Sequence, residues 1–376
     1  MGDLSNLDIG WRSALMFAVC LPMIVIATML ATRRVERAAN VFLAGFLVIA
    51  VVAQIPQILG FAGFYQVWPG LTFAPFNVEL YAGPLIYLHA DRLMQGGPLG
   101  WRKWLLLPGC AQTAYYCWAF LALGDYRSKW AYNEAIHVPF ITPVETMIGV
   151  ALMVIAIVAV FRLLRRYRQY LNNTESAARD FDPGWLTRLL AVVILAGIMY
   201  LSLEVSSVFL RPISYVDAFP AEVLMTCLLA WLGFDALVRT SIPFPKMRYA
   251  EVAGPANTKP EVPAKDWQSE GQAIRSAVLA GDWHLEPRLS IRDLAQRMAS
   301  NETYISRALN LGLGLSFNAF INGLRVEYAK KLLGDDGQSM VEIALASGFN
   351  SKATFNRVFR DIAGQTPSQH RASQNR

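Results

Sequence analysis

The chain has 376 residues, of which 54% are apolar, and a formal net charge of +6. Its length exceeds that of one ordinary domain, and a mean hydropathy of +0.32 is unlike that of a soluble regulator, so we expect a membrane-embedded part. The positive charge fits an anionic lipid surface and nucleic acid equally well.

Seven apolar stretches are long enough to cross a hydrocarbon core, which takes about 20 helical residues. They cover roughly residues 11–31, 40–64, 75–94, 104–124, 140–164, 185–210 and 219–238. The third is the weakest, because Asn77, Glu79, His89 and Asp91 interrupt it. The first has no basic region before it and no small-residue cleavage site after it, so we expect it to be retained. The pattern predicts an all-α chain in which residues 1–239 form a polytopic seven-helix membrane bundle.

The four cysteines of the chain lie inside these apolar runs and show no CxxC or Cys/His ligand spacing. They are Cys20, Cys110, Cys117 and Cys227. This pattern indicates buried thiols in preference to disulfides or metal ligands.

Arginine and lysine collect in the first, third and fifth connections between the stretches, a bias that marks the cytoplasmic side. The residues are Arg33, Arg34 and Arg37; Arg92, Arg102 and Lys103; and Arg165, Arg166, Arg168 and Arg179. The N-terminus is therefore predicted to lie outside and, after seven crossings, the C-terminus inside. This is the topology of a multi-pass protein of the bacterial inner membrane.

Six polar residues fall in the outer third of the predicted bundle, where each is costly in lipid. They are Gln54, Gln57, Glu79, Glu145, Glu204 and Glu222. Their shared depth predicts a water-accessible pocket for a small-molecule or envelope signal. The alternative is that they serve interhelical packing or lie at the interface. The outer connection, residues 125–139, is interpreted as an interfacial aromatic belt with an ordinary surface histidine, His137, or as a lid over the pocket.

The composition changes abruptly after Arg239. Residues 240–266 contain five prolines and no long apolar run, which is typical of a linker. A flexible coil of this length spans about 30 Å, and more if the prolines stiffen it. That distance holds a soluble domain, residues 267–376, clear of the bilayer and argues against tight mechanical coupling.

The last part of the soluble domain contains a helix-turn-helix pattern. Ser339 followed by Glu342 predicts a capping box, Gly348 predicts the break after that helix, and Ser351 predicts the cap of the next one. That second helix turns these side chains outward: Lys352, Ala353, Asn356 and Arg357. A short basic face on a helix fixed by a glycine turn suits a reader of the DNA major groove.

A similar pattern precedes it in the chain. Ser290 with Asp293 predicts a capping pair, and Asn301 predicts the cap of a helix whose outward side chains are Thr303, Ser306 and Arg307. Between the two patterns, apolar residues keep a 3-4 spacing over residues 317–332, which predicts one long connecting helix. Two readers on a rigid helix can enter successive major grooves about 34 Å apart.

These motifs resemble the DNA-binding domain of the AraC/XylS family of transcription regulators over about the last 100 residues. The motifs are LAQRMASNETYISRAL, FINGLRVEYAKKLL and IALASGFNSKATFNRVFRDIAGQTPSQHR. In the first reader, Leu309 and Asn310 replace an aromatic-lysine pair that is usual in the family, and Ala308 replaces a leucine. The apolar half resembles a less common architecture in which a seven-span membrane domain precedes the same DNA-binding domain.

The resemblance assigns roles to individual side chains. It implies base-reading roles for Thr303, Ser306, Arg307, Lys352, Ala353, Asn356 and Arg357. It implies contacts to backbone phosphates for Ser351, Arg360 and Arg325.

Two hypotheses for the function follow. The first is a membrane-bound one-component regulator, expected to activate transcription, whose partners are promoter DNA, the lipid bilayer, an unknown signal, RNA polymerase and a second copy of the chain. The alternative is a membrane transporter or enzyme with an autoregulatory DNA-binding tail. Because HExxH, GxSxG and paired metal ligands are missing near the one histidine in a span, we expect no catalytic residue, metal or cofactor.

Overall fold

The computed structural model describes residues 7, 9–209, 214–239, 243–247, 266–334 and 337–374, and the side chains of residues 200, 201, 203–209 and 215 lie outside this description. All regular structure within these residues is helical. The chain forms two compact units. The apolar unit comprises Met1–Leu164 and Pro183–Arg248, and the C-terminal unit comprises Arg165–Asp182 and Tyr249–Arg376.

The described part of the apolar unit is built on five long helices and two shorter ones. The long helices are Trp11–Thr32, Arg37–Phe61, Thr142–Thr174, Gly184–Phe209 and Tyr215–Arg239, and the shorter ones are Ala82–Met94 and Leu107–Ala122. Short helical turns connect them at Phe64–Val67, Pro69–Leu71, Glu79–Tyr81, Gly100–Leu106, Tyr126–Tyr132 and Asn133–Ile141. The last residues of Thr142–Thr174, from Arg165 onward, belong to the C-terminal unit.

Among the residues that the structure describes, five helical segments are long and apolar enough to cross a membrane, judged by length and composition. They are Trp11–Thr32, Arg37–Phe61, Tyr126–Thr174, Ala178–Met199 and Val216–Arg239. The expectation of seven spans is therefore not confirmed. The third and fourth predicted stretches contain regular helices of only 13 and 16 residues. At 1.5 Å per residue these helices are about 20 and 24 Å long, shorter than a hydrocarbon core of about 30 Å.

Helix Ala82–Met94 lies inside the apolar unit and carries polar residues there. Ten of its 13 residues are buried, including His89 and Asp91. The Nδ1 atom of His89 lies 2.9 Å from the carbonyl oxygen of Ala39, and Arg102 donates to the Asp91 carboxylate at 3.0 Å. A helix surrounded by other helices can carry polar groups wherever these find partners.

The C-terminal unit contains seven described helices after residue 265. They are Trp267–Ala280, Ile291–Arg297, Glu302–Arg307, Phe317–Leu332, Met340–Ala346, Lys352–Ala363 and Pro367–Gln374. We call Glu302–Arg307 and Lys352–Ala363 the first and second recognition helices, and Phe317–Leu332 the connecting helix. The two helix-turn-helix motifs joined by one long helix are confirmed.

Two separate apolar cores lie on the connecting helix. Its first part, up to Leu324, packs in a core with Ile274, Leu294 and Ile305. Its second part, from Val326, packs in another core with residues of the second helix-turn-helix motif: Ile343, Phe349, Phe355 and Phe359. Each motif therefore folds around its own core, and the connecting helix is shared by both.

The helix boundaries follow from the polar residues that begin and end them. Both capping boxes, Ser290 with Asp293 and Ser339 with Glu342, are formed as expected. Ser351 accepts from the amide of Thr354 at 3.2 Å and so caps the second recognition helix. These caps satisfy amides that have no partner within the helix.

The predicted linker, residues 240–266, lies mostly outside the described residues. Its first described part, residues 243–247, packs on the apolar unit. The ammonium of Lys246 donates to the carbonyl of Leu93 at 2.8 Å, and the amide of Met247 donates to the carbonyl of Met94 at 2.8 Å. The amide of Phe244 donates to the carboxylate of Glu36 at 2.8 Å.

Gly348 fixes the turn between the two helices of the second motif. It has a φ of +80°, and a Cβ atom there would lie 2.7 Å from the carbonyl oxygen of Leu285. Gly364 has a similar φ of +73° but no heavy atom within 4 Å of the Cβ position. We expect Gly364→Ala to cost about 1–2 kcal/mol of local stability, the cost of a left-handed backbone, and Gly348→Ala about 2 kcal/mol more because of the collision.

Hydrogen exchange of the amides in Lys352–Ala363, measured on the full chain in detergent, gives both values. Gly364→Ala serves as the matched control, since it keeps the backbone strain and removes the collision. Equal acceleration of exchange in the two variants would contradict the role of the Leu285 contact.

Candidate DNA-binding surface

The first recognition helix exposes two of its three predicted base readers. Asn301 caps the helix by accepting from the amide of Tyr304 at 2.8 Å. Thr303 and Arg307 are exposed, whereas Ser306 is half-buried and its hydroxyl accepts from the side chain of Asn310 at 3.1 Å. Helical spacing predicted all three to face outward, and Ser306 is the one that is partly covered.

The residues in which the first motif departs from the family pattern have structural roles. Ala308 and Leu309 are completely buried and belong to the first core. They lie in a wider helical turn, Ala308–Leu313, that follows the recognition helix directly. Two of the three residues that differ from the family pattern therefore belong to the core that supports the recognition helix. The third, Asn310, donates to Ser306.

The second recognition helix presents a basic face beside its buried one. Phe355, Val358 and Phe359 are buried. The predicted DNA-contacting residues lie outside that face: Ser351, Lys352, Ala353, Arg357 and Arg360 are exposed and Asn356 is half-buried. Among the described residues, Lys352 and Arg357 form no ion pair, and neither does Arg307 of the first recognition helix. Their charges are therefore available to an anionic partner.

Arg325 does not lie at the surface, which corrects the phosphate role assigned to it. Its side chain is 1% exposed. The guanidinium donates to the carbonyls of His284 at 2.7 Å and Glu286 at 2.6 Å, and to the hydroxyl of Ser176 at 3.2 Å. Burial lowers the pKa of Arg325 to about 10, so the group stays charged at neutral pH.

The sequence contained a signal for this burial. Arg325 follows Ile321 by four residues and Leu324 by one, so it falls on the apolar face of the connecting helix. The charged group of a basic residue on an apolar face can either extend to solvent at the edge of that face or bind buried carbonyls. The sequence does not distinguish these two arrangements. The packing of the His284–Glu286 turn against the helix decides it.

The six residues of the predicted pocket divide into groups in the apolar unit. Gln54 donates to Glu222 at 3.1 Å. Gln112 donates to Glu79 at 3.2 Å, and Tyr116 donates to Glu145 at 3.0 Å. Gln57 lines a separate cavity of about 400 Å³ with Pro56, Gly60, Gly63, Tyr65 and Gln66. The side chain of Glu204 lies outside the described residues.

Polar residues that were not predicted to belong to the pocket join Glu79 and Glu145. Gln112 and Tyr116 are buried between them, and Asn77 donates to the Tyr116 hydroxyl at 2.7 Å. His137 is 8% exposed and its Nδ1 atom lies 2.9 Å from the Tyr115 hydroxyl, so it is not the surface residue we expected. These polar positions recur without a periodic pattern, and only the packing of the helices brings them together.

The fold and this surface define a DNA-binding domain with two helix-turn-helix motifs. Residues 294–373 match a family model described as "Helix-turn-helix domain", and the C-terminal domain is a helix-turn-helix domain of the AraC type. No solved structure matches the chain.

Two kinds of bacterial relatives are similar to part of the chain. An uncharacterized HTH-type transcriptional regulator of Staphylococcus aureus (strain COL) is 35% identical over 88 residues, which are 23% of this chain and 12% of the relative. The melibiose operon regulatory protein of Escherichia coli (strain K12) is 32% identical over 83 residues, which are 22% of this chain and 28% of the relative. The chain thus matches about an eighth of the Staphylococcus relative and a quarter of the Escherichia one.

Arg325 is buried and Arg360 is exposed, so we expect their substitutions to have different effects. We expect Arg325→Lys to destabilise the C-terminal unit by roughly 2–4 kcal/mol, because a lysine cannot satisfy the same set of buried carbonyls. Arg360→Ala should leave stability nearly unchanged and lower the salt slope of DNA binding by about 1. Thermal unfolding and a salt titration of DNA affinity measure the two effects. A lower salt slope in a folded Arg325→Gln chain, which lacks the charge, would restore the phosphate role.

Proposed function

We propose that the chain is a membrane-bound one-component transcription regulator of a bacterial inner membrane. Its C-terminal domain binds promoter DNA in the cytoplasm through both recognition helices, and its apolar unit receives the signal. The observation that carries this proposal is that Arg307 and Arg357, one on each recognition helix, are exposed and without an ion-pair partner among the described residues. Unpaired arginine side chains on an exposed helix suit bidentate contacts to guanine edges.

The surface of the apolar unit supports membrane insertion. Large apolar side chains point outward along its helices, among them Phe17, Met147, Ile155, Ile198 and Phe234, each more than half exposed. Apolar surface of this extent is unfavourable in water and favourable in a bilayer. The candidate spans are correspondingly only 22–39% buried.

Contacts inside the apolar unit support seven crossings over five. Lys246, which follows the last long helix, donates to the carbonyl of Leu93 at 2.8 Å, at the end of Ala82–Met94. The amide of Phe244 reaches Glu36 in the first connection. The first connection, the end of Ala82–Met94 and the residues after the last long helix therefore lie together. A seven-span bundle would place all three on the cytoplasmic side. With five crossings, the end of Ala82–Met94 would lie outside.

The signal is proposed to be a small molecule or an envelope component that reaches the polar groups around Glu79 and Glu145. Binding would shift the population of helix packings and so change DNA binding. RNA polymerase and a second copy of the chain are the further partners of this proposal, and activation of transcription is its outcome. Uptake of a labelled compound, lost on substitution of Glu79, would instead favour the transporter hypothesis.

The topology is tested with single cysteines in a chain whose four native cysteines are replaced by serine. Seven crossings place Pro98 inside, so a membrane-impermeant maleimide added to intact cells should not label Pro98→Cys. Ser128→Cys, exposed in the outer connection, is the matched control and should be labelled. Labelling of both sites at similar rates would support five crossings.

DNA binding is tested on a site found by genome-wide occupancy of the full chain. We expect Arg307→Ala and Arg357→Ala each to lose roughly 1–3 kcal/mol on that site and little on random DNA of equal length. Arg275→Ala, outside both recognition helices, removes the same charge and should leave the difference between the two DNAs unchanged. Fluorescence anisotropy with the full chain in lipid nanodiscs measures all three. Equal losses on both DNAs would contradict the base-reading assignment.

A further inference from the structure

We propose that residues 175–182, which we call the docking segment, bind between the two halves of the helix-turn-helix domain and hold its recognition helices at the spacing that DNA binding requires. The segment follows the fifth apolar stretch, so this contact connects the membrane part of the chain with its DNA reader. The inference rests on the proposed function, since the spacing matters only if both recognition helices bind DNA.

The docking segment is attached to the first half through its backbone. The amide of Ser176 donates to the carbonyl of Leu289 at 3.1 Å, and Glu175 pairs with Ser290 in an isolated antiparallel bridge. Asn318, near the start of the connecting helix, donates to the carbonyls of Glu175 at 3.0 Å and Ser176 at 2.7 Å. Three directed hydrogen bonds fix the position of this part of the segment.

The docking segment also contacts the second half through two side chains. Asn350, directly before the cap of the second recognition helix, donates to the carboxylate of Asp180 at 2.6 Å. Arg179 forms an ion pair with Asp361 on that helix at 3.2 Å. One short segment therefore contacts both motifs, whose apolar cores are otherwise separate.

Three residues of the docking segment are buried, and one of them is hydrogen-bonded to the connecting helix. Ser176 is 2% exposed, Ala178 4% and Phe181 7%. The hydroxyl of Ser176 also accepts from Arg325, the buried arginine of the connecting helix. A polar connection on the cytoplasmic side of a bundle would by itself be expected to be solvated, so the burial reflects a specific binding surface.

The docked segment leaves the DNA-binding face open. Beside it lies a cleft of about 400 Å³, to which the second recognition helix contributes Thr354, Val358, Asp361 and Ile362. These residues recur at three- and four-residue spacing and form one face of the helix, whereas Lys352 and Asn356 lie on another. Arg357, four residues before Asp361, lies at the border of the two faces and is exposed. Docking is therefore compatible with DNA binding and restrains the two helices without covering them.

The chain gives this segment a direct connection to the apolar unit. Helix Thr142–Thr174 begins in the apolar unit and ends directly before the docking segment. A displacement of that helix is transmitted to residue 175 through unbroken hydrogen-bonded backbone. The proline-rich residues 240–266 were the expected connection, but a coil of that length transmits little force.

Glu175 makes docking sensitive to pH. Burial together with the carboxylates of Asp293 and Glu302 raises its pKa to about 7, and Arg292 partly opposes this shift. The docked form therefore takes up a proton that the undocked form, with an ordinary glutamate pKa, does not. Docking should tighten about tenfold from pH 8 to pH 6, and Glu175→Gln should remove this dependence.

The test uses the full chain in nanodiscs and compares docking with DNA binding. Arg179→Glu breaks the exposed ion pair to Asp361, and hydrogen exchange of residues 175–182 reports docking. The DNAs are the complete two-half site and a site with one half scrambled. We expect Arg179→Glu to accelerate the exchange and to weaken binding to the complete site about tenfold, with the affinity for the remaining half-site unchanged. Arg166→Glu, exposed on the same helix as Thr174 and without an ion pair among the described residues, controls for charge reversal near the segment and should change neither quantity.

A disulfide cross-link tests the opposite change, because it fixes the docking segment in its bound position. Glu175→Cys with Ser290→Cys, in a chain without its native cysteines, places two thiols on the bridged residues, a spacing at which a disulfide forms. Oxidation should raise the affinity for the complete site to at least that of the parent chain, and reduction should reverse this effect.

The outcomes separate the two proposals. A parent chain that binds no specific DNA would overturn the proposed function. A parent that binds specifically, with variants that change exchange but not affinity for the complete site, would overturn the docking inference alone. An affinity that rises when the segment is released would overturn it as well, because docking would then oppose DNA binding.

Discussion

The C-terminal unit depends on one buried charge, the guanidinium of Arg325. It binds the carbonyls of His284 and Glu286 before the first motif, the hydroxyl of Ser176 in the docking segment, and lies 5.6 Å from the ring centroid of Phe349 in the second motif. A buried charge requires satisfied partners, because an unpaired one costs several kcal/mol. This requirement joins segments that are distant in sequence, and it makes the docking segment part of the same hydrogen-bond network as the connecting helix.

The apolar unit is governed by a different constraint, which is the distribution of polar groups between its inside and its surface. Apolar side chains such as Phe17 and Met147 face outward, while His89, Asp91 and Gln112 are buried with partners. Apolar surface of this extent together with buried polar groups is unlike a water-soluble protein, and it is expected if lipid is the solvent. The same distribution explains why hydropathy identifies the outer helices of the unit and underestimates the central one, Ala82–Met94.

The two units are joined by connections of different kinds. The proline-rich residues 240–266 were expected to form a linker, whereas Thr142–Thr174 is a continuous helix that ends at the docking segment. In our proposal the first connection tethers the DNA reader to the membrane and the second carries the signal. In the same proposal the docking segment sets the spacing of the recognition helices, so the connection through residues 240–266 need not be rigid.

The sequence by itself determined the helix-turn-helix motifs, their caps and the exposed residues Arg307 and Arg357, because capping, glycine turns and helical periodicity are local. It also determined the apolar character of residues 1–239. Only the tertiary structure decided that Arg325 is buried, that Gln112 and Tyr116 join Glu79 to Glu145, and that residues 175–182 belong to the C-terminal unit. Each of these depends on contacts between residues far apart in the chain, and a short polar segment carries no periodic pattern that reveals its partner.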